Sequence, residues 1–212
     1  MAWAIETNGI TTHLETGTYE NVAGSIFEIK FKTIGPPKTF GFLGSAFGTS
    51  DTYLRVSAFG SIAAKGDSFA GSNIPWPGGI NIFDGEWHVL RFHCFATRHQ
   101  IELDGNFSAL YGPAILTDKW SVLGVYSSSL ARFRGQIEYA KWINNGANNF
   151  NWDATASDHV PGNPIVKDIS GNNQDALGIG FPTDGSAWIN LGGGPVPTFK
   201  LHWIRNFSGV IT

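Results

Sequence analysis

The chain has 212 residues, of which 27 are glycine and 10 proline, a density that excludes long helices of about eleven or twelve residues but admits short strands. At 42% hydrophobic and 14% aromatic residues, with eight Trp, it holds enough apolar area to offset chain entropy, which excludes disorder. A formal charge of −3, with 15% of residues charged and no run of Lys and Arg, excludes a nucleic-acid footprint.

In chain order, Met1–Glu6 has neither a basic n-region nor an apolar h-region. It is not read as a secretory leader, so synthesis in a cytosol is expected. No apolar stretch approaches the ~20 residues of a membrane span, so no membrane insertion is expected. Ser25–Lys32 alternates, with Phe27, Ile29 and Phe31 on a buried face and Glu28, Lys30 and Lys32 on a solvated one. Thr52–Ser57 reads as a second strand. Ile74–Gly79 reads as a loop around Trp76. Trp87–Phe95 is a long strand with Leu90, Phe92 and Cys94 on one face and Val89, Arg91, His93 and Phe95 on the other. The break at Thr97-Arg98-His99 makes it the first arm of a hairpin. In Gln100–Gly105, Ile101 and Leu103 face inward and Glu102 and Asp104 outward. Asp104-Gly105-Asn106 then marks a tight turn. Ser121–Tyr126 and Gly135–Ile143 follow as strands.

Cys94 is the sole cysteine. No intrachain disulfide can form, and its apolar segment predicts a buried, inert thiol. From Asn144 the texture becomes polar and rich in turns. The predicted organisation is a core over residues 1–143 and an extension over 144–212 that packs on the core or on a neighbouring subunit. Short strands separated by turn signals predict an all-β sandwich or barrel.

Candidate ligand-binding residues are few. Trp76, Trp120 and Trp152 are read as loop residues, where a ring stacks on the CH face of a sugar or plugs a sheet end or an interface. Arg91 and His93 are further candidates on the solvent face of their strand. No His-x-x-x-His or paired-Cys spacing supports a transition-metal site, and no metal ligand is assigned. Asp168, Asn172 and Asp175 offer oxygens to calcium in a glycine-containing loop, although Asx turns explain them more simply. Gly192-Gly193-Gly194 and Gly178-Ile179-Gly180 lack the Lys-Ser or Lys-Thr of a phosphate loop.

Two segments carry a resemblance. One is Asp84-Gly85-Glu86-Trp87-His88-Val89-Leu90, followed by Ile101-Glu102-Leu103-Asp104-Gly105. The other is Phe133-Arg134-Gly135-Gln136-Ile137-Glu138-Tyr139-Ala140-Lys141-Trp142-Ile143-Asn144. In order and spacing they resemble the laminin-G-like branch of the concanavalin A-like lectin/glucanase superfamily, over roughly residues 20–144. The resemblance implies a jelly-roll sandwich of two antiparallel sheets, with Trp87, Gly135 and the Asp104-Gly105 turn as scaffold. Asp168–Asn173 and Asp184–Trp188 look like segments that follow such domains in bacterial and phage proteins.

Glycosidases of this superfamily carry an E-x-D-x-x-E strand. Here only Glu102-Leu103-Asp104 matches, and it is read as a solvated strand end. Its lyases use Arg, Gln, His and Tyr on neighbouring strands. Arg91, His93, Gln136 and Tyr139 are present, but in contexts that do not match. No catalytic residue is assigned and no enzyme is expected. Laminin-G-like sandwiches usually work outside cells, whereas this chain shows neither leader nor disulfide. A phage virion surface protein reconciles the two: a head-decoration, head-fibre or tail-fibre component, homo-oligomeric, touching other virion proteins and surface glycans. The alternative expectation is a carbohydrate-binding module of a polysaccharide-binding or polysaccharide-degrading system.

Overall fold

The computed structural model of the chain describes residues 2–9, 13–15, 19–20, 22–44, 53–58, 61–65, 72–112, 119–122, 133–144 and 149–192. Within these, the strands in chain order are β1 (Trp3–Asn8), β2 (His13–Glu15), β3 (Tyr19–Glu20), β4 (Ile26–Thr33), β5 (Phe40–Gly44), β6 (Tyr53–Ser57), β7 (Ser61–Lys65), β8 (Ser72–Pro75), β9 (Trp87–Cys94), β10 (His99–Leu103), β11 (Asn106–Phe107), β12 (Lys119–Val122), β13 (Arg134–Ile143), β14 (Phe150–Asp153), β15 (Ile165–Val166), β16 (Ala176–Ile179) and β17 (Trp188–Asn190). A 3-10 turn occupies Pro77–Gly79. No helix among the described residues is long and apolar enough to cross a membrane.

The strands form a large sheet in the order β11-β10-β9-β4-β13-β1-β17, with β14 also paired to β13. A second sheet runs β3-β12-β5-β6-β7-β8, and a small third one β15-β16-β2. Neighbouring strands are antiparallel throughout, as a jelly-roll sandwich requires. The third sheet is an addition that alternation alone did not reveal. Residues after 143 enter the same architecture: β14 pairs with β13, and β17 lies beside β1.

Period-two alternation builds the core. Phe27, Ile29 and Phe31 of β4, with Leu90 and Phe92 of β9, meet Phe40 and Phe42 of β5 and Leu54 and Val56 of β6. Phe31, Phe40, Phe42 and Phe133 pack edge to face, with ring centroids 4.7 Å apart for Phe31–Phe42 and 5.0 Å for Phe40–Phe133. Cys94 lies in this core, and burial pushes its thiol up to about 12.

Two motif residues fix the frame. Asp104 and Gly105 both have positive φ, 48° and 79°, and join the paired residues Leu103 and Asn106. This two-residue hairpin turn matches the twist of its strands. Gly135 allows β13 to approach β4. A Cβ there would lie 2.1 Å from the Lys32 carbonyl oxygen and 2.6 Å from the Phe133 ring.

Alternation breaks once in β13. A bulge between Ile137 and Tyr139 leaves Glu138 and Tyr139 both off the core side, while Ile137, Ala140 and Trp142 stay buried. A strand without the bulge would turn Tyr139 inward with Ile137.

The outer face of the large sheet as candidate functional site

Register places one row of side chains across six strands. Phe107 of β11 opposes Glu102 of β10, which opposes Arg91 of β9. Arg91 opposes Glu28 of β4, Glu28 opposes Lys141 of β13, and Lys141 opposes Asn151 of β14. His93 stands two residues beyond Arg91 on the same face, and the bulge delivers Tyr139 beside Lys141.

Every carboxylate oxygen of Glu28 and Glu102 has a partner. Arg91 donates from Nε to Glu28 Oε2 and from Nη1 to Glu102 Oε1. Lys141 Nζ lies 2.8 Å from Glu28 Oε1, and the Tyr139 hydroxyl donates to the same oxygen at 2.8 Å. His93 Nε2 lies 3.0 Å from Glu102 Oε2. Glu28 is only 4% exposed and Glu102 only 6%. The expectation that both carboxylates are solvated is therefore corrected. They lie under the long side chains of their cross-strand neighbours, where a buried charge must be paired.

The electrostatics follow. Burial alone would raise the Glu28 carboxyl, but hydrogen bonds from Lys141, Arg91 and Tyr139 outweigh it and hold Glu28 below the usual carboxylate range. Tyr139 is pushed up, first by burial and then by its hydrogen bond to Glu28. Both residues stay in one protonation state near neutrality.

Aromatic rings flank this array. Phe95 is 41% exposed and Phe107 58%. The His93 ring lies between them, 6.3 Å from Phe95 and nearly parallel to it, and 6.0 Å from Phe107. Further along the face, Lys30 Nζ sits 5.7 Å from the Trp87 ring centroid and 2.6 Å from Glu138. Exposed rings grouped in this way mark a contact surface more often than single apolar residues do.

Of the residues proposed from sequence, Arg91 and His93 come together here, joined through Glu102. Trp76 and Trp152 do not. Trp76 is in the core at 8% exposure and Trp152 at 1%. Trp152 stacks on Phe150 at 4.2 Å, and its Nε1 donates to the Gln174 carbonyl. Protein covers the faces of these rings, so they have no ring face to offer a ligand. Trp120 lies in β12 opposite Tyr19, and its side chain falls outside the described residues. Glu28, Lys141, Phe95 and Phe107 are not among the residues proposed from sequence, where Tyr139 figures only as a lyase-type residue in a context that does not match. Only Phe107 had a local signal, since the two-residue turn fixes it opposite Glu102.

The Asp168 loop is closed by its own donors. Asp168 Oδ1 accepts from the amides of Asn151 at 2.7 Å and Ser170 at 2.9 Å. Its Oδ2 accepts from the Gln174 amide at 2.9 Å and the Ser170 hydroxyl at 2.8 Å. Asp175 accepts from Lys167 at 2.6 Å and from the Asp168 amide at 2.8 Å, and Asn172 donates to the Asn149 carbonyl. Burial raises the Asp168 carboxyl, but the backbone donors outweigh it and hold it below the usual range. Among the described residues no group of three or more His, Cys, Asp or Glu could hold a metal ion.

No family model and no curated protein matches the sequence. Solved structures do match. A putative carbohydrate binding protein from Bacteroides ovatus superposes with a TM-score of 0.60 at 10% identity, over 84% of this chain and 58% of that one. Domains LG4-5 of the mouse laminin alpha1 chain give 0.53 at 18% identity, over 86% of this chain and 47% of that one. A native heptameric SAP-like pentraxin from Limulus polyphemus gives 0.51 at 14% identity, over 66% of this chain and 75% of that one. The chain spans about half the laminin fragment and under two thirds of the Bacteroides protein. At such identities the likeness is one of fold.

Proposed function

We propose that this chain, a jelly-roll sandwich of the laminin-G-like, concanavalin A-like fold, is a non-catalytic adhesive module that holds glycans on the outer face of its large sheet. The observation that carries the reading is the fixed row Glu102–Arg91–Glu28–Lys141 flanked by the exposed rings of Phe95 and Phe107. Exposed rings offer flat apolar faces to sugar CH groups. The charged groups beside them, already oriented by one another, offer hydrogen bonds to hydroxyls without further ordering. The lectin-like fold supports the same reading.

The protonation and engagement of its carboxylates speak against catalysis in this row. Glycoside hydrolysis needs one carboxyl that is protonated near neutrality. Glu28 is held ionised by three donors, and both oxygens of Glu102 are engaged by Arg91 and His93. Glu28 is therefore no ready proton donor, and Arg91 and His93 leave neither oxygen of Glu102 open to a glycosidic oxygen. Binding to a panel of immobilised polysaccharides tests the proposal. Phe107→Ala should weaken retention about tenfold, as the loss of one stacked ring does. Retention unchanged in Phe107→Ala, or polysaccharide cleavage that disappears in Glu102→Gln, would overturn it.

The finer part of the proposal is the setting, a virion surface where the module acts as an oligomer among other virion proteins. Its support is chemical. A sandwich that holds together by packing, with its one thiol buried and unreactive, can be made in a reducing cytoplasm. Light scattering and co-sedimentation with purified virions test this. A stable monomer that does not co-sediment removes the virion setting and leaves the carbohydrate-binding module of a polysaccharide-binding system.

A further inference from the structure

We propose a second ligand site at the end of the sandwich where β1 and β4 finish and β13 begins, a cleft that takes a small carboxylate carried on a six-membered ring. The cleft has a volume of about 490 Å³, within the range of about 300–1,000 Å³ typical of small-ligand sites. Phe40 enters it from β5, so it opens between the two main sheets.

Part of its lining is apolar. Pro36, Pro37, Phe40 and Phe83 line it, with Phe40 and Phe83 edge to face at 6.2 Å. Arg134 and Lys38 line it as well. The backbone folds closely around Arg134. A Cβ on Gly9 would lie 2.7 Å from Arg134 Cβ, and one on Gly35 would lie 3.3 Å from Nη1. Both glycines have positive φ, 69° and 87°, a conformation that disfavours other residues. Lys38 Nζ donates to the Gly9 carbonyl at 3.4 Å, which ties the second cation to the same turn.

These two cations, like Lys32 and Arg98 but unlike the four that follow, have no carboxylate partner among the described residues, and of that set they alone line the cleft. Arg91, Lys141, Lys30 and Lys167 each pair with a carboxylate. The one carboxylate lining the cleft, Glu6, accepts from Gln136 Nε2 at 2.9 Å. A guanidinium fork and an ammonium beside an apolar wall match a carboxylate on a compact ring. The fork takes the two oxygens, and the exposed prolines and half-buried Phe83, backed by the buried Phe40, take the flat face. A bare inorganic anion would leave the apolar wall unused, and a neutral ring would leave the cations unmatched. The site uses residues outside the Arg91–Glu28 array, so it stands whether or not the outer face holds glycans.

The test is an amide NMR titration of the full chain with two probes, sodium methyl glucuronide and sodium benzoate. Methyl glucoside, benzamide and inorganic phosphate serve as controls. Saturable shifts at Asn8, Gly35 and Lys38 with at least one carboxylate are expected, about tenfold weaker for each control. Glucuronide alone would identify an acidic sugar as the source, and benzoate alone an aromatic acid. Arg134→Gln should weaken the titration about tenfold, as should Lys38→Gln if the first variant does not fold, whereas Phe107→Ala should leave it unchanged. Equal shifts with the neutral controls or phosphate, no shifts with either carboxylate, or an unaltered titration in a folded cation variant would overturn the site. Because Phe107→Ala reports on glycan retention alone, failure of the cleft is distinguishable from failure of the outer face.

Discussion

Strand β9 gives one histidine to each side of the large sheet, and the two are held in different ways. His88 is buried at 4% exposure on the core side. Its Nδ1 lies 2.6 Å from Asp104 Oδ2 and its Nε2 3.0 Å from Asp84 Oδ1. An acceptor at each nitrogen matches both N–H groups of the protonated ring, which favours the imidazolium. Both carboxylates come from turns that flank the hairpin, and each also accepts a backbone amide, Glu86 for Asp84 and Val89 for Asp104. His93 lies on the outer side and meets Glu102, Phe95 and Phe107, with Arg91 beyond. Its surroundings come from separate strands and end at open rings. The first arrangement closes on itself, while the second is compensated but unfinished at the surface. That contrast is the reason to assign the first to the scaffold and the second to binding.

The contrast can be strained from several directions. The largest effect is expected from Gly135→Ala. It drives a methyl group into the Lys32 carbonyl and should cost about 3 kcal/mol in chemical denaturation. Because β13 carries Lys141 and Tyr139, hydrogen exchange should speed up across β13 and β4 before it does in the β9–β10 hairpin around His88. Glu28→Gln comes next. It leaves Arg91 and Lys141 facing a neutral amide and should cost about 2 kcal/mol, less than a fully buried pair because both cations reach solvent.

His88 supplies a pH signature. Burial lowers its pKa, but the hydrogen bonds to Asp104 and Asp84 outweigh that and raise it above the ordinary histidine value of 6.5. A raised folded value stabilises the protein in full below the unfolded pKa and is lost as pH rises through the folded one. Thermal stability should therefore fall on the alkaline side of 6.5, and His88→Asn should flatten that slope. Asp84, depressed first against burial by its bonds from Glu86 and His88, acts oppositely. Its contribution is present above the ordinary aspartate value of 3.8 and fades as pH falls through the lower folded one. The smallest effect on stability should be that of Phe107→Ala, within about 0.5 kcal/mol of the parent protein, although it is the variant expected to lose glycan.

The same contrast explains what could be read from sequence. The β9–β10 hairpin, its inward faces and the Asp104-Gly105 turn depend on neighbours in the chain, and alternation with turn chemistry exposes them. The outer array depends on register between strands far apart in sequence. Nothing near Glu28 indicates that Arg91 will cover it, so its alternating segment reads as a solvated face. The bulge hides the outward position of Tyr139, since strict alternation from Ile137 counts it inward. The tryptophans misled for a related reason. Trp76 and Trp152 sit among turn residues, yet the chain folds them back into the sandwich, where their area is buried. The third sheet was invisible because its strands are only two to four residues long, too short for a period to emerge.

The pairing of β17 with β1 has a kinetic consequence. Trp3 stands opposite Asn190, and the Leu191 amide donates to the Ala2 carbonyl at 2.8 Å. The first strand is thus flanked by β13 and by β17, both from late in the chain. It cannot be paired until β13 has been made, and its other edge waits for β17, later still. Such long loop closures slow folding into the millisecond-to-second range typical of β sandwiches. Until β17 docks, β1 remains an exposed strand edge, the place where a second unfinished copy would be expected to pair first.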